Sequence, residues 1–298
     1  MRRTTRTVLL PAIGLLSLGA AVTTAHAQYM VYGLASGGSG VQQLVRFNSS
    51  NPSDVTVIGL TGASLRGIDF RPANGVLYGI DGSQVYTVNT TTGGATLVAT
   101  LTAGATGTNV GFDFNPMADR IRIVDASGNN LRVNPDNGVT IVDGAYTYAA
   151  GDVSTGAPAF SGVAYTNSVA GPTSTALYGI DGARGTLVSV GSPNGGTVST
   201  VGSLGLTFNP TVVGFDVVTV GGANLGFFSA LTAGAISNFY SVNLTTGAAT
   251  LVGSVSSAGG IQGLAIAAVP EPGTWALMVT GLAGLGAVAR RRTRRQRA

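Results

Sequence analysis

The sequence predicts an all-β fold, a five-bladed β-propeller closed by its C-terminal strand. Three observations carry that expectation. The hexapeptide LYGIDG occurs twice, at 77–82 and 177–182, and a recurrence of that length with different flanks points to an internal repeat. Apolar strands that open on a glycine begin at Gly67, Gly111, Gly162, Gly214 and Gly263, in steps of 44, 51, 52 and 49 residues. Between residues 28 and 269 short β-rich runs alternate with Asn-Gly, Gly-Gly and Asp-Gly turns, and no 3.6-residue period is sustained. Four antiparallel strands per period is the cadence of propeller blades, each too small to bury its faces without a neighbour. A two-sheet sandwich or an irregular solenoid is the alternative that the same strands would allow.

Each period has the same order of pieces. A second strand follows the glycine-led one: VLYGID (76–81), RIRIVD (120–125), ALYGID (176–181) and LGFFSAL (225–231). A third follows as QVYTVN (84–89), NLRVN (130–134), TLVSV (186–190) and NFYSVN (238–243). Turn-rich segments (TTTGGA, PDNG, SPNGG, LTTGA) then lead into a fourth strand: TLVATL, VTIVDG, TVSTVGSL or TLVGSV. Residues 29–60 supply three strands but no glycine-led one, while IQGLAIAAV (261–269) supplies a glycine-led strand with nothing after it. Joined, the two ends make the fifth blade, with the C-terminal strand innermost.

The two ends of the chain differ from this middle. MRRTTR precedes the apolar run VLLPAIGLLSLGAAV, and Ala25-His26-Ala27 is a small-x-small cleavage site, so residues 1–27 read as a helical signal peptide removed by signal peptidase after Ala27. The propeller then spans 28–269, and 270–298 is a separate tail containing an apolar helix. Of sixteen arginines, three open the chain and six close it; the middle holds seven Arg, eleven Asp and no Glu, a formal charge of −4. The high overall pI therefore belongs to the termini, and no nucleic-acid partner is expected. Cysteine is absent, so stability rests on the core rather than on disulfides.

Residue types missing from 28–269 limit the chemistry. No His, Cys, Lys, Glu or Trp occurs there, so a Ser-His-Asp or Cys-His arrangement, a zinc or copper site and a Schiff-base lysine cannot be assembled. No cofactor is expected. The remaining candidates are Asp69, Asp113 and Asp216, which occupy one repeated position in Gly-x-Asp; the other two blades read Gly162-Val-Ala and Gly263-Leu-Ala. On innermost strands the three could converge on the central channel as an oxygen-lined cation site. The preferred reading is that each accepts a hydrogen bond from a neighbouring blade's backbone and fixes the blade angle, so no metal site is assigned. Asp81 and Asp181 are expected in Ile-Asp-Gly turns. The stretch 125–130 lacks the acidic twelfth-position Glu of a calcium loop (Asp136 stands there) and reads as a hairpin loop. Gly284-Leu-Gly286-Ala-Val-Ala289 follows no strand and is a false dinucleotide pattern.

The tail combines Pro270-Glu271-Pro272, an apolar run opened by Trp275 and ending at Ala289, and a cluster including Arg290, Arg291 and Arg292. The run has 15 residues, against roughly 20 for a comfortable helical span, and the arginines would remain on the cytoplasmic side. These three parts in order resemble the PEP-CTERM sorting signal. The resemblance implies a Gram-negative exosortase substrate: transient inner-membrane contact through 275–289, cleavage near 270–272, and delivery to the cell surface or extracellular matrix. Residues 30–268, with their GxDF starts, paired LYGID and VNxxTGxATLVG closures, resemble the DUF4394 family of secreted bacterial proteins, which has no established activity and so no catalytic residues to carry over. The expectation is a non-enzymatic surface or biofilm-matrix protein that binds a polysaccharide or another surface partner. The alternative is an extracellular, glycosidase-like hydrolase using paired Asp carboxylates.

Overall fold

The computed structural model describes residues 28–36, 41–105, 107, 110–232, 234, 236–256 and 259–268. The expected signal peptide and the tail, with the helix read in each, lie outside the described residues. Twenty-one strands run through the described chain: β1 Tyr29–Ser36, β2 Gln42–Asn48, β3 Asn51–Gly59, β4 Gly67–Arg71, β5 Val76–Ile80, β6 Gln84–Val88, β7 Ala95–Thr100, β8 Val110–Asn115, β9 Arg120–Asp125, β10 Asn130–Val133, β11 Thr140–Val142, β12 Thr147–Tyr148, β13 Phe160–Tyr165, β14 Leu177–Asp181, β15 Thr186–Ser192, β16 Thr197–Ser203, β17 Val213–Val220, β18 Ala223–Leu231, β19 Ser237–Val242, β20 Ala249–Ser254 and β21 Ile261–Ala268. Among the described residues there is no helix, so none there crosses a membrane.

The strands form five sheets, β21-β1-β2-β3, β4-β5-β6-β7, β8-β9-β10-β11, β13-β14-β15-β16 with β12 added, and β17-β18-β19-β20. We number these blades 1 to 5 in that order. The architecture is all-β and propeller-like, and blade 1 is built from both ends of the folded chain. Met30 of β1 lies opposite Asn48 of β2 on one side and Ala267 of β21 on the other, so the last strand becomes the innermost of the first blade. The sequence reading missed β12, which runs parallel to β16 on its outer side; its two residues are too few to show any alternation.

The turn between the third and fourth strands shows how a local sequence positions a blade. The side chains of Asn89 and Asn243 accept the amide hydrogens two and three residues on, at 2.8–3.1 Å, the Asx turn that asparagine forms readily. A glycine with positive φ follows at Gly93 and Gly247. A β-carbon at Gly93 would sit against the carbonyl oxygen of Gly59 in the preceding blade, so the turn also docks on its neighbour. The Thr61 amide donates to Gly93 O at 3.1 Å, Thr102 to Gly138 O at 3.1 Å, and Gly144 to Asn194 O at 2.9 Å. The outer rim is thus stitched from blade to blade.

Apolar residues fill each junction. Leu34, Leu44 and Ile58 of blade 1 pack on Ile68, Leu77 and Tyr86 of blade 2. Ile80 and Val85 meet Phe112 and Phe114 between blades 2 and 3. Val124 meets Phe160 and Val163 between blades 3 and 4, and Ile180 and Leu187 meet Phe215 and Phe228 between blades 4 and 5. Val31, Phe47 and Ile261 meet Phe227 and Phe239 where blade 5 closes on blade 1. There the Phe227 and Phe239 rings stack at 5.3 Å, and Phe47 meets Phe239 edge-on at 5.2 Å. Burial is therefore distributed over five interfaces, the arrangement that stacked repeats require.

At the axis the repeated glycines explain themselves. Gly67, Gly111, Gly162, Gly214 and Gly263 line the narrow end of the channel, where only about 10 Å³ is open, at the lower limit for one water. A β-carbon on Gly67 would lie 2.5 Å from Phe112 Cβ, and one on Gly162 would lie 2.9 Å from Phe215 Cβ. The Gly67→Ala substitution should therefore overpack the axis and lower stability in urea unfolding by roughly 1–3 kcal/mol. Gly191→Ala, with nothing within 4 Å of its β-carbon, should change it by no more than about 0.5 kcal/mol.

Candidate functional site

The three Gly-x-Asp carboxylates converge. Asp69 on β4, Asp113 on β8 and Asp216 on β17 are buried, and one carboxylate oxygen of each lies within 4.8 Å of the others. The chain geometry that brings them together is the same in each blade. Asp69 Oδ2 accepts the Phe114 amide at 2.8 Å, Asp113 Oδ1 accepts the Tyr165 amide at 2.9 Å, and Asp216 Oδ2 accepts the Ile266 amide at 2.6 Å. In every case the donor is the residue just after the equivalent position in the next blade. An innermost strand has one edge turned toward its neighbour, and a buried amide there needs a partner; the aspartate supplies it.

Blades 1 and 4 carry Ala265 and Ala164 at this position, so two amides have no aspartate from the preceding blade. One of them is Val217, and Asp216 serves it with its second oxygen, Oδ1, at 2.6 Å. Four carboxylate oxygens in the cluster therefore accept backbone N–H groups. Phe70, which follows Asp69, is the other such amide, and it also acts on the Asp69 carboxylate.

Burial is the main cause of the raised pKa of each of these acids. It pushes Asp69 well above the usual carboxylate range, and the charge of Asp216 adds to the shift, while the amides of Phe114 and Phe70 oppose it. Burial raises Asp113 likewise, with Asp69 and Asp216 both adding. Asp216 is pushed up to about 7 by burial, against the pull of the Ile266 and Val217 amides. Like charges this close in a dry site cannot all ionise at neutral pH. As a ligand set for a hard cation the cluster offers few free oxygens, whereas calcium takes six to eight.

Two arginine clamps join the blades beside this cluster, and neither was foreseen from the sequence. Arg71, at the end of β4, forms a fork with Asp119 in blade 3 (Nε–Oδ1 2.8 Å, Nη2–Oδ2 2.5 Å) and reaches Asp136 at 2.7 Å. Asp119 has φ of 49°, a left-handed conformation that aspartate tolerates. Hydrogen bonding to Arg71 lowers Asp136 below the usual carboxylate range. Arg122 on β9 is buried, 2.7 Å from Asp143 and 2.7 Å from Asn194 Oδ1 in blade 4. It stands opposite Asp113 in the β8–β9 register, a pairing that the sequence alone does not show.

Asp81, Asp125, Asp152 and Asp181 hold turns. Asp81 Oδ1 accepts the amides of Ser83 and Gln84, and Asp181 Oδ1 those of Ala183 and Arg184, at 2.7–3.1 Å; both perform the turn role expected of them. Asp125 accepts the Ser127 and Asn129 amides within its hairpin loop. On the wide side of the channel a cavity of about 280 Å³ opens between Asp69, Arg71, Ser168, Thr219, Ile266 and Ala267. Ala25, Ala27, Pro270, Glu271, Pro272, Trp275, Arg290, Arg291 and Arg292 all lie outside the described residues.

The fold and its axial carboxylates define a five-bladed, propeller-like domain whose polar centre is engaged with its own backbone. The chain belongs to the DUF4394 family, a domain of unknown function matched over residues 43–265. The PEP-CTERM protein-sorting motif is matched over residues 268–294 and implies exosortase-sorted export. No curated protein matches the chain. Similar solved structures include a candidate 6-phosphogluconolactonase from Bacteroides fragilis (8% identity, 82% of this chain and 99% of that one, TM-score 0.41). Another is a protein from Lactobacillus plantarum (18% identity, 80% and 71% coverage, TM-score 0.37). A third is a candidate 6-phosphogluconolactonase from Bacteroides uniformis (14% identity, 76% and 82% coverage, TM-score 0.38). Likenesses at these scores carry no argument about activity.

The raised carboxyls fix the sign of the pH dependence. A carboxyl whose folded pKa exceeds its unfolded value contributes stability below the unfolded pKa, and that contribution disappears as pH rises through the folded pKa. Urea stability should therefore fall between pH 4 and 8, with a slope of up to about 1.4 kcal/mol per pH unit for each proton held. Asp113→Asn keeps an oxygen for the Tyr165 amide but removes one ionising group, so its profile should be flatter. A wild-type stability that rises across this window would contradict the protonated cluster.

Proposed function

We propose that this protein is a non-enzymatic binding or structural module of the cell surface or extracellular matrix, delivered by exosortase sorting. The observation that carries the reading is the tail. The sorting motif begins at residue 268, the last residue of β21, so a cut near Pro270-Glu271-Pro272 removes none of the described strands. The propeller is then a rigid cargo whose delivery does not disturb its core.

The chemistry of the domain supports the non-enzymatic part. A hydrolase built on paired acids needs two carboxyls facing a substrate across roughly 5–10 Å. The three axial aspartates are buried and bonded to neighbouring strands. The four turn aspartates at 81, 125, 152 and 181 accept amides of their own loops. Each of these carboxylates has a structural duty that a catalytic acid or base would have to abandon. Binding a polymer or surface partner asks only for the exposed polar rim.

Processing is checked by mass spectrometry of the native protein from an exosortase-bearing strain. Peptides should begin at Gln28, and none should come from 275–298. A mature form retaining Arg290 and the residues after it would leave a plain C-terminal anchor in place of a sorted protein.

A further inference from the structure

Tyr29 opens β1 directly opposite Ala268, where β21 ends, so the chain enters and leaves the ring side by side. That end of the ring is the wide one: Ile266 and Ala267 line the cavity of about 280 Å³, whereas Gly263 lines the narrow end. Residues 270–272 stand two to four positions beyond Ala268. Whatever its conformation, a chain of that length spans at most about 14 Å. An enzyme that takes this segment into its active site therefore meets the wide end of blade 1.

Beside this exit lies a groove of about 330 Å³, lined by Gln28, Met30, Arg46, Asn48, Ser50 and Asp54 among others. Strand register places it. Met30 stands between Ala267 on one side and Asn48 on the other, and adjacent strands are about 4.8 Å apart, which puts Asn48 roughly 10 Å from β21. Arg46, two residues back along β2, shares the face of Asn48 and stands between Tyr32 and Thr56. It is the exception among the described arginines. Arg71, Arg122, Arg132 and Arg184 pair with carboxylates, and Arg66 and Arg120 donate to backbone carbonyls. Arg46 is half-buried and has no hydrogen bond or ion pair among the described residues, although Asp54 lines the same groove. Its planar fork of donors suits a carboxylate supplied from outside the chain.

We propose that this groove is the docking surface for the sorting enzyme, and that Arg46 pairs there with one of its carboxylates while the active site closes on 270–272. The inference rests on the exosortase reading above. The occupant is the enzyme because the short reach from Ala268 brings it to this end of the ring, and because the unpaired charge waits there. An interface of ordinary size, about 800 Å² on each partner, is roughly 30 Å across, enough to cover both the cut and the groove. Complementary charge fixes the orientation of an encounter more than it adds affinity. The groove thus presents the cargo in one pose, and the tail supplies the bond that is cut.

Pulse-chase immunoblots of the full precursor in an exosortase-bearing strain test this. Arg46→Glu should slow conversion to the mature form about fivefold, with a urea midpoint matching the wild type as proof of folding. Arg46→Lys, which keeps the charge, should recover most of the rate. Arg66→Glu makes the same reversal just before Gly67 at the narrow end and should convert like the wild type. Because the chain has no cysteine, a photo-crosslinker on Ser50→Cys reports on this groove alone, and it should join the precursor to exosortase, identified by mass. Crosslinks to lipid alone would make the groove a membrane contact and overturn the proposal. Equal conversion of Arg46→Glu and wild type would overturn it too. Either result with a normally cut wild type removes only the docking site, whereas a wild type that is never cut removes the sorting reading with it.

Discussion

Everything in this fold depends on how closely five innermost strands approach one axis. The approach is close enough that a methyl group does not fit at Gly67 or Gly162, and the narrow end of the channel has at most the space of a single water. The amides of Phe114, Tyr165 and Ile266 are directed to buried aspartates, and a buried amide without a partner costs on the order of 1–3 kcal/mol. The Gly-x-Asp motif answers both halves of the constraint. Glycine lets the strands meet, and two residues later aspartate reaches across to the amide of the next strand. The residue between them is apolar (Ile68, Phe112, Phe215) and buried, so a three-residue motif serves packing, approach and hydrogen bonding at once.

The same constraint explains why only three blades carry the acid. Each carboxylate added to so small a volume raises its neighbours, as Asp69 and Asp216 do to Asp113. Five would compound the desolvation and the repulsion without adding apolar contact. Ala164 and Ala265 instead fill two junctions with methyl groups, and Asp216 covers one of the amides left over by using both of its oxygens. The clamps at Arg71 and Arg122 instead pair each charge with an opposite one. Arg71 reaches two carboxylates that are partly exposed, whereas Arg122 pairs with a buried one; removing Arg122 would leave Asp143 to Arg132 alone. Buried pairs of this kind are costly to break one-sidedly, and both clamps join neighbouring blades at specific residues.

The number of blades, their closure and the duty of most aspartates were legible in the sequence because they repeat. A period of 44 to 52 residues marks the blades, and an unmatched strand at each end implies the closure. What stayed hidden does not repeat. In RIRIVD, Arg122 occupies a place that alternation assigns to solvent, and its burial depends on Asn194, 72 residues away. Strand β12 is two residues long and owes its existence to the free edge of β16. The convergence of Asp69, Asp113 and Asp216 was anticipated as a possibility, but their closeness and their raised pKa values follow from three-dimensional spacing that no single period contains.

Closure by the last strand also ties the fold to the fate of the chain. Blade 1 lacks its innermost strand until β21 is in place, and Ile266 of β21 supplies the amide that Asp216 accepts. A ring missing β21 would expose the apolar faces of Val31, Phe47 and Phe239 and leave Asp216 buried without its 2.6 Å donor. Removal of sequence after Ala268 touches none of these contacts. A cut a few residues beyond β21 therefore leaves every described strand in place, whereas a cut a few residues inside it opens the ring at the junction of blades 5 and 1.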